Sequence, residues 1–397
     1  MKSGNVISRY LSLAFVFSFC FQGFHLIEEP TPIRPFMVLL PMVFFWLFVK
    51  GSRVNFVFSE LMACVFFFFM LISIFWAEVP SLALLKMVGI FLLTSSYFCV
   101  RSGLRTIDDQ EFAKCISYGG VVVLSLSLAY YFLGIFLFDE SATRVTEDGF
   151  DRFYLGVYIE GYLVRMRGLF DSPNNLALVC VFLYLYYDSK SSYFKTVGKA
   201  LAVLSLILTI SVTGWIALLA AVFFTLLYKR NFFPVVAGLL GVSASVLAIL
   251  TLMPDDVREP LVENRMERVE TGSGRLELFE FTIERALDRP ILGYGLNQSR
   301  TLYVNFRGFQ SSHNSFLEAL VDGGLVGLTL YLGCWLAVIA FCYQITRSRE
   351  EPFFLSAAIA LLFFSQANLL TYVELNMLYF AMVFDMARRR NLNKLMR

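Results

Sequence analysis

One histidine of this chain lies in a polar segment whose residue types suit proton transfer. His313 follows Gln310-Ser311-Ser312 and precedes Asn314. Asn314, Glu318 and Asp322 are spaced i, i+4 and i+8, so they share one face of a short helix. An imidazole with its ordinary pKa of about 6.5 is suited to general acid–base work. His313 is therefore a candidate catalytic residue, and Asn314, Glu318 and Asp322 are candidate supporting residues.

Arginines form the second candidate group. Residues 138–173 and 254–324 are long polar connections that contain twelve arginines and no lysine. A guanidinium can donate two parallel hydrogen bonds to a phosphate, which an ammonium group cannot do. This bias favours a site for a phosphorylated ligand. Ordinary surface salt bridges are the alternative reading, because residues 254–324 also contain twelve acidic residues.

The first of these connections ends in the segment RMRGLFDSPNN, which contains Arg165 and Arg167. Ser172 followed by a proline predicts a helix start there, close to Asn174. The free backbone N–H groups of a helix start attract anions. The segment therefore predicts an anion site that combines Arg165, Arg167 and the helix start beside Asn174.

Motifs of several other chemistries are missing from the sequence. It contains no GxxxxGK[ST], no GxGxxG after a strand, no GxSxG, and no His and Cys cluster with metal-ligand spacing. We therefore expect no metal, no cofactor and no nucleic-acid partner. A lipid-linked diphosphate fits the remaining arginines, because positive side chains can neutralise the charge of its leaving group.

The composition defines the elements that must position these residues. Of 397 residues, 58% are hydrophobic and 16% are charged, whereas soluble domains are about 25% charged. Residues 1–397 therefore form a single polytopic membrane domain. Apolar runs long enough for a membrane give about twelve candidate spans, near residues 8–26, 34–49, 56–76, 81–100, 116–137, 174–187, 200–213, 214–228, 232–253, 325–344, 353–371 and 375–387. The seventh and eighth spans form either one bent helix or a tight pair.

The distribution of lysine and arginine predicts the orientation. Basic residues mark every second connection and both termini, which places the termini in the cytoplasm. Residues 138–173 and 254–324 then become the first and the large extracytoplasmic loops. In the large loop, apolar residues at helical spacing predict an amphipathic helix over residues 274–289, which ends before the turn PILGYG. We expect an all-α membrane protein with short amphipathic helices in both loops.

These residues together resemble the O-antigen ligase and O-antigen polymerase superfamily of bacterial envelope glycosyltransferases. His313-Asn314, nine further residues and then Gly324 to Gly327 are similar to the ligase motif His-(Asn/Ser/Gln), nine residues, Gly-x-x-(Gly/Thr/Tyr). The segment RMRGLFDSPNN resembles the family element Arg-x-x-Gly-x-Phe-x-x-Pro-Asn, with Arg165 at the family arginine. The resemblance with specific motifs covers about residues 160–345.

Two further segments bear on this resemblance. Gly274-Arg275, the amphipathic helix and Pro290 to Gly295 resemble the family's loop arginine and its Pro-x-x-Gly-x-Gly turn. Between the paired central spans the family often has Ser-Arg-Gly, whereas residues 211–214 read Ser-Val-Thr-Gly. This departure removes one possible phosphate contact, a role that Arg167 could take.

The resemblance implies a GT-C-type fold in the bacterial inner membrane, with the active site on the periplasmic side. By motif match, it implies functional roles for Arg165, Arg275 and His313. The implied reaction is a metal-independent, inverting transfer of a glycan from an undecaprenyl-diphosphate donor to an acceptor hydroxyl on lipid A–core. Our hypothesis assigns Arg165, Arg167 and Arg275 to the diphosphate. His313 either activates the acceptor or contacts that diphosphate.

Other activities fit the same sequence. A polymerase of O-antigen or exopolysaccharide extends a growing polysaccharide, and a protein O-glycosyltransferase uses a Ser or Thr hydroxyl. The single His-Asn motif favours the ligase. A secondary transporter is the alternative from another class, because twelve spans with both ends inside also suit a carrier. Carriers bind substrate near the membrane midplane, whereas this chain concentrates its polar residues in two loops.

Overall fold

A computed structural model describes most of the chain. The described residues are 3–21, 34–49, 58–138, 143–145, 152–160, 163–189, 192–229, 275–307, 311–349, 351–366 and 374–395. Within them the chain forms the α-helices α1 Ser3–Ser18, α2 Pro35–Val49, α3 Phe58–Ile72, α4 Pro80–Gly103, α5 Asp109–Phe136, α6 Pro173–Tyr187, α7 Lys195–Thr209, α8 Val212–Lys229, α9 Arg275–Asp288, α10 Ser299–Arg307, α11 Ser315–Arg349, α12 Phe353–Ser365 and α13 Glu374–Leu395. Two 3-10 turns, Phe19–Phe21 and Ser73–Trp76, follow α1 and α3.

The described helices agree with a multi-pass membrane protein. Four of them, α4, α5, α8 and α11, are long and apolar enough to cross a membrane, and six shorter apolar helical stretches accompany them. The predicted ninth span, residues 232–253, lies outside the described residues, so the number of spans stays a prediction. The seventh and eighth predicted spans are two helices, α7 and α8. Ile210 separates them with a left-handed backbone, φ 50°.

The first long loop differs from the expected all-α fold, because residues 138–173 contain a β-sheet. Four antiparallel strands follow one another in chain order: β1 Arg144–Val145, β2 Arg152–Tyr154, β3 Val157–Glu160 and β4 Leu163–Met166. Tyr154 pairs with Val157, which leaves a two-residue turn at Leu155-Gly156. The prediction of short amphipathic helices was wrong for this part of the loop. Its Val, Ile, Tyr and Phe residues prefer strands, and turns of two residues favour hairpins.

Helices α6 and α8 run antiparallel to α12, which defines two ends of the bundle. The hydroxyl groups of Thr225 in α8 and Ser356 in α12 hydrogen-bond to each other. The ring centroids of Tyr186, near the end of α6, and Phe353, at the start of α12, are 5.4 Å apart. The starts of α6 and α8 therefore lie near the end of α12. We call this the loop end.

Three charged side chains lie together at the opposite end. Arg101, in the last turn of α4, donates from Nε to Glu60 of α3 at 2.9 Å and from Nη1 to Asp385 of α13 at 2.8 Å. The Tyr97 hydroxyl also donates to Glu60. The three charged side chains are at most 4% exposed. We call them the buried triad; they connect the last helix of the chain to the third and fourth.

Candidate active site

Arg165 is buried at the loop end, and three of its nitrogens are hydrogen-bonded. It lies in β4 and is 8% exposed. Its Nε donates to the backbone oxygen of Thr209, the last residue of α7, at 2.9 Å. Its Nη2 donates to Oδ1 of Asn174 at 3.3 Å, and its Nη1 forms an ion pair with Glu160. Strand β4 thus places the guanidinium at the junction of α6, α7 and α8.

The turn between α7 and α8 supports this arginine through Asn174. The Ser211 hydroxyl donates to Oδ1 of Asn174 at 2.8 Å and accepts from the backbone nitrogen of Gly214 at 3.2 Å. The Ser172 hydroxyl accepts from the backbone nitrogen of Asn175 at 3.3 Å, which confirms the predicted helix start. Although residues 211–214 lack the family arginine, the turn contributes to the site by orienting Asn174.

Arg167 is partly buried and lies beside Arg165 in sequence. Its Nε donates to the backbone oxygen of Leu155 at 2.9 Å, and its guanidinium carbon lies 4.3 Å from the centre of the Phe153 ring. A planar guanidinium stacks well on the face of an aromatic ring. The next residue, Gly168, has φ +58°, and a Cβ there would lie 2.5 Å from the Cβ of Ser127 in α5. The glycine of the motif therefore lets the loop pack on α5.

His313 occupies a constrained turn directly before α11. Its backbone has φ +54°, an uncommon conformation for a residue other than glycine. The buried Ser312 side chain closes the turn: its hydroxyl donates to the backbone oxygen of Asn314 at 2.9 Å and accepts from the nitrogen of Asn314 at 3.1 Å. The His313 side chain is half-buried. Backbone strain of this kind is often found at functional sites.

The predicted supporting residues Asn314 and Glu318 hold this turn in place. Oδ1 of Asn314 accepts from the backbone nitrogens of Phe316 at 2.9 Å and Leu317 at 3.2 Å, so Asn314 is the N-cap of α11. Its Nδ2 donates to Gln366, just after α12, at 3.4 Å. Oε1 of Glu318 accepts from the backbone nitrogen of Ser312 at 3.2 Å. The asparagine of the His-Asn motif thus has a structural role.

The two glycine motifs of the large loop contact each other. Gly324 interrupts α11 with φ 62° and ψ −162°. The backbone nitrogens of Leu325 and Val326 donate to the oxygens of Pro290 at 2.7 Å and Ile291 at 3.2 Å. A Cβ on Gly324 would lie 2.2 Å from the Ile291 oxygen. The kink therefore requires glycine, and it separates the first turns of α11, which follow the His313 turn, from the apolar part of the helix.

Asp322 joins the same region to α10. Its carboxylate accepts from the backbone nitrogens of Asn297 at 2.9 Å and Ser299 at 2.8 Å, the latter at the start of α10. Lys86 of α4 is attracted electrostatically by Glu318 and Asp322, and it is repelled by Arg300 of α10. Asp322 thus connects α11 to α10, and the supporting role of Glu318 and Asp322 in the site stays a prediction.

The Arg165 network and the His313 turn lie at the same end of the bundle. At about 1.5 Å of rise per residue, Val212 lies about 20 Å along α8 from Thr225, and Gln366 lies about 15 Å along α12 from Ser356. Thr225 and Ser356 are in contact. The Ser211 turn and the Asn314–Gln366 contact therefore lie at similar heights. Arg275 is the first described residue of α9, and its side chain lies outside the described part of the chain.

Two residues of the site were not predicted from the sequence. Glu160 is the ionic partner of Arg165, and Ser211 orients Asn174. The strand-rich pattern of residues 157–166 could have predicted that Glu160 and Arg165 lie on adjacent hairpin strands. No local signal could have paired Ser211 with Asn174, because 37 residues separate them in the chain.

The fold and the site define a multi-pass helical membrane protein with a buried arginine and a histidine at the same end of its bundle. Comparison with known proteins sharpens this class. Residues 197–332 match the family described as O-Antigen ligase. The chain is also similar to the Exopolysaccharide production protein ExoQ of Rhizobium meliloti (strain 1021), with 26% identity over 317 residues, or 74% of this chain and 67% of that protein.

These matches confirm the resemblance to the O-antigen ligase and polymerase superfamily. They support a membrane glycosyltransferase of the ligase or polymerase type that acts in polysaccharide biosynthesis. The matched residues 197–332 include the Ser211 turn, Arg275 and His313, whereas Arg165 precedes them.

Proposed function

We propose that the protein transfers a glycan from an undecaprenyl-diphosphate donor to an acceptor hydroxyl at the periplasmic face of the bacterial inner membrane. Our preferred acceptor is a sugar of lipid A–core. The observation that carries this proposal is that a buried, oriented arginine and a histidine in a constrained turn lie at one end of the bundle. An anion and an acceptor hydroxyl are the chemical groups that these two side chains suit.

The proposed step is a single inverting displacement. The acceptor oxygen attacks the anomeric carbon, the bond from that carbon to the diphosphate oxygen breaks, and undecaprenyl diphosphate leaves. The proton of the acceptor hydroxyl passes to His313, if the histidine is the base, or to the leaving diphosphate, if His313 only contacts it. Arg165, Arg167 and Arg275 neutralise the charge that develops on the leaving group, and the mechanism uses no metal.

The surroundings of Arg165 support a role in binding phosphate. Thr209 and Asn174 present neutral acceptors to Nε and Nη2, so they orient the guanidinium without neutralising it. Glu160 is its one anionic partner among the contacts described above. A diphosphate that bears more charge than one carboxylate can compete for that position, because guanidinium groups bind phosphate in a two-pronged geometry.

A second candidate function is the polymerisation of an exopolysaccharide. The similarity to a protein named for exopolysaccharide production favours it. The donor and the bond-making step are the same, but the acceptor is another lipid-linked glycan. Because the chemistry is shared, the residues of the site do not distinguish the two functions.

A deletion strain distinguishes them, with the wild-type gene restored as the control. We expect lipopolysaccharide without any attached polymer if the protein is a ligase. Lipopolysaccharide with single attached units indicates an O-antigen polymerase, and intact lipopolysaccharide with missing exopolysaccharide indicates an exopolysaccharide polymerase. Normal amounts of both polymers together with reduced solute uptake would contradict the proposal and favour a transporter.

A further inference from the structure

Helix α9 has two apolar faces, of which the described protein uses one. Leu278, Thr282 and Ala286, spaced i, i+4 and i+8, are at most 4% exposed, and α9 packs on α11. Leu276, Ile283 and Leu287 lie on another strip of the helix and are 56%, 48% and 71% exposed. One face is enough to dock a helix on its neighbour, so the second face requires another explanation.

The exposed strip continues into the turn that follows α9. Ile291 is 66% exposed and Leu292 is 47% exposed. We call Leu276, Ile283, Leu287, Ile291 and Leu292 the apolar ridge. Soluble surfaces rarely carry contiguous apolar patches of this kind unless a partner covers them.

The backbone of the ridge is attached to the ends of two apolar helices. Nε1 of Trp76, in the 3-10 turn after α3, donates to the backbone oxygen of Leu292 at 3.3 Å. The backbone nitrogen of Val326 donates to the oxygen of Ile291 at 3.2 Å, where the apolar part of α11 begins. The ridge therefore lies level with the ends of these two helices. Tryptophan is enriched at the boundary between membrane and water, so Trp76 suits that position.

Neighbouring side chains have the distribution expected at such a boundary. Phe75, beside Trp76, is 87% exposed, and Leu325, at the start of the apolar part of α11, is 55% exposed. The backbone nitrogen of Leu325 donates to Pro290, next to the ridge residue Ile291, at 2.7 Å. The exposed acids Glu277 and Glu284 lie about 80–100° around the axis of α9 from Leu276, whereas the exposed Glu280, four residues after Leu276, borders the ridge.

We propose that the apolar ridge inserts into the phospholipid bilayer at the loop end, so that α9 lies in the membrane interface. An amphipathic helix in this position buries its apolar strip at the boundary of headgroups and acyl chains. Since α9 begins at Arg275, its insertion fixes the height of that residue relative to the lipid headgroups. The inference concerns the position of α9 and holds whichever glycan the protein transfers.

Depth-dependent quenching tests this proposal in the full-length protein. Leu287→Cys and Glu284→Cys variants are labelled with the fluorophore NBD and reconstituted in phosphatidylcholine nanodiscs. Wild-type protein treated in the same way corrects for its own cysteines. We expect phosphatidylcholine with a doxyl group near the headgroup to reduce NBD emission at position 287 at least twofold and to leave position 284 nearly unchanged. Iodide in the water should quench position 284 more strongly.

Three results would overturn the proposal. Equal lipid quenching at both positions would mean that α9 has no defined orientation toward the membrane. Strong iodide quenching at position 287 would mean that the ridge faces water. Protection of position 287 from both quenchers, or disulfide-linked dimers of the unlabelled Leu287→Cys protein, would mean that protein covers the ridge. Equal melting temperatures of all variants show that the substitutions leave the fold intact.

Discussion

The two ends of the helix bundle use arginine in different ways. In the buried triad, Arg101 has two carboxylate partners, and all three side chains are at most 4% exposed. At the loop end, Arg165 has one carboxylate partner and two neutral acceptors, and the Arg165 and Glu160 side chains are 10% and 17% exposed. A buried arginine can therefore either connect helices or be kept oriented for a ligand, depending on its partners.

The difference has a physical basis. Removing one member of a buried ion pair leaves a charge without compensation, so such groups cannot exchange partners at low cost. Arg165 has a single carboxylate partner among the contacts described above, and that partner is more exposed than those of Arg101, so this arginine can exchange one anion for another at lower cost. We therefore expect substitutions in the triad to change stability and substitutions at the loop end to change transfer.

The largest effect is expected for Arg101→Met. The substitution removes the positive charge that Arg101 supplies to the buried Glu60 and Asp385, and breaking a buried pair costs about 3–5 kcal/mol. Thermal melting of the detergent-solubilised protein should show a large loss of stability. The matched control is the triple variant Glu60→Gln, Arg101→Met, Asp385→Asn, which removes all the charges and should recover much of it. A wild-type melting temperature for Arg101→Met would contradict the claim that the buried triad stabilises the fold.

The next effect concerns His313→Ala. If His313 transfers a proton, its loss should reduce glycan transfer by about 10²–10⁴-fold, the usual contribution of a general acid or base. Polymer attachment in cells, normalised to the amount of protein in the membrane, measures it. His25→Ala, at the other histidine of the chain, is the control and should retain transfer. Wild-type attachment by His313→Ala would exclude this residue from the mechanism.

Arg165→Lys tests whether the planar guanidinium matters. The lysine ammonium keeps the charge, but it cannot bind Thr209, Asn174 and an anion at the same time. We expect a loss of about 10²–10³-fold in transfer, comparable to the removal of one donor to a developing anion. The melting temperature should change far less than in Arg101→Met. Near-normal transfer would show that Arg165 is a structural residue like Arg101.

The smallest effect is expected for Glu160→Gln. The amide can still accept a hydrogen bond from Arg165 but does not compete as an anion, so the apparent KM for the lipid-linked donor should fall a few-fold. Glu160→Asp, which keeps the charge, is the matched control. An unchanged KM in Glu160→Gln would mean that the carboxylate and the donor do not share a position, and a raised KM would mean that Glu160 stabilises the active arrangement of Arg165.

Local features of the fold could be predicted from the sequence. The helix Arg275–Asp288 lies within the predicted range 274–289 and ends before Pro290, as that proline indicated. The helix start at Ser172 and the helix that carries Glu318 and Asp322 were also predicted, although Asn314 caps that helix and does not lie within it. These elements depend on neighbouring residues, whose preferences act over a few positions. The hairpins of the first loop were missed although their residue types favour strands.

Contacts between distant segments could not be predicted in this way. Arg101 and Asp385 are 284 positions apart, and the Ile291–Val326 hydrogen bond joins two glycine motifs that were recognised separately. Likewise, the apolar periodicity of α9 predicted a helix but did not reveal that Leu278 packs on protein while Leu287 stays exposed.

The sequence by itself determined that this is a membrane protein, and it determined which motifs the chain carries and which superfamily it resembles. Composition and local spacing follow directly from the order of the residues. Only the tertiary structure decided which arginine pairs with two carboxylates and which is held by neutral oxygens. The physical reason is that the energy of a charge depends on its burial and its partners, and both are set by helices that lie far apart in sequence.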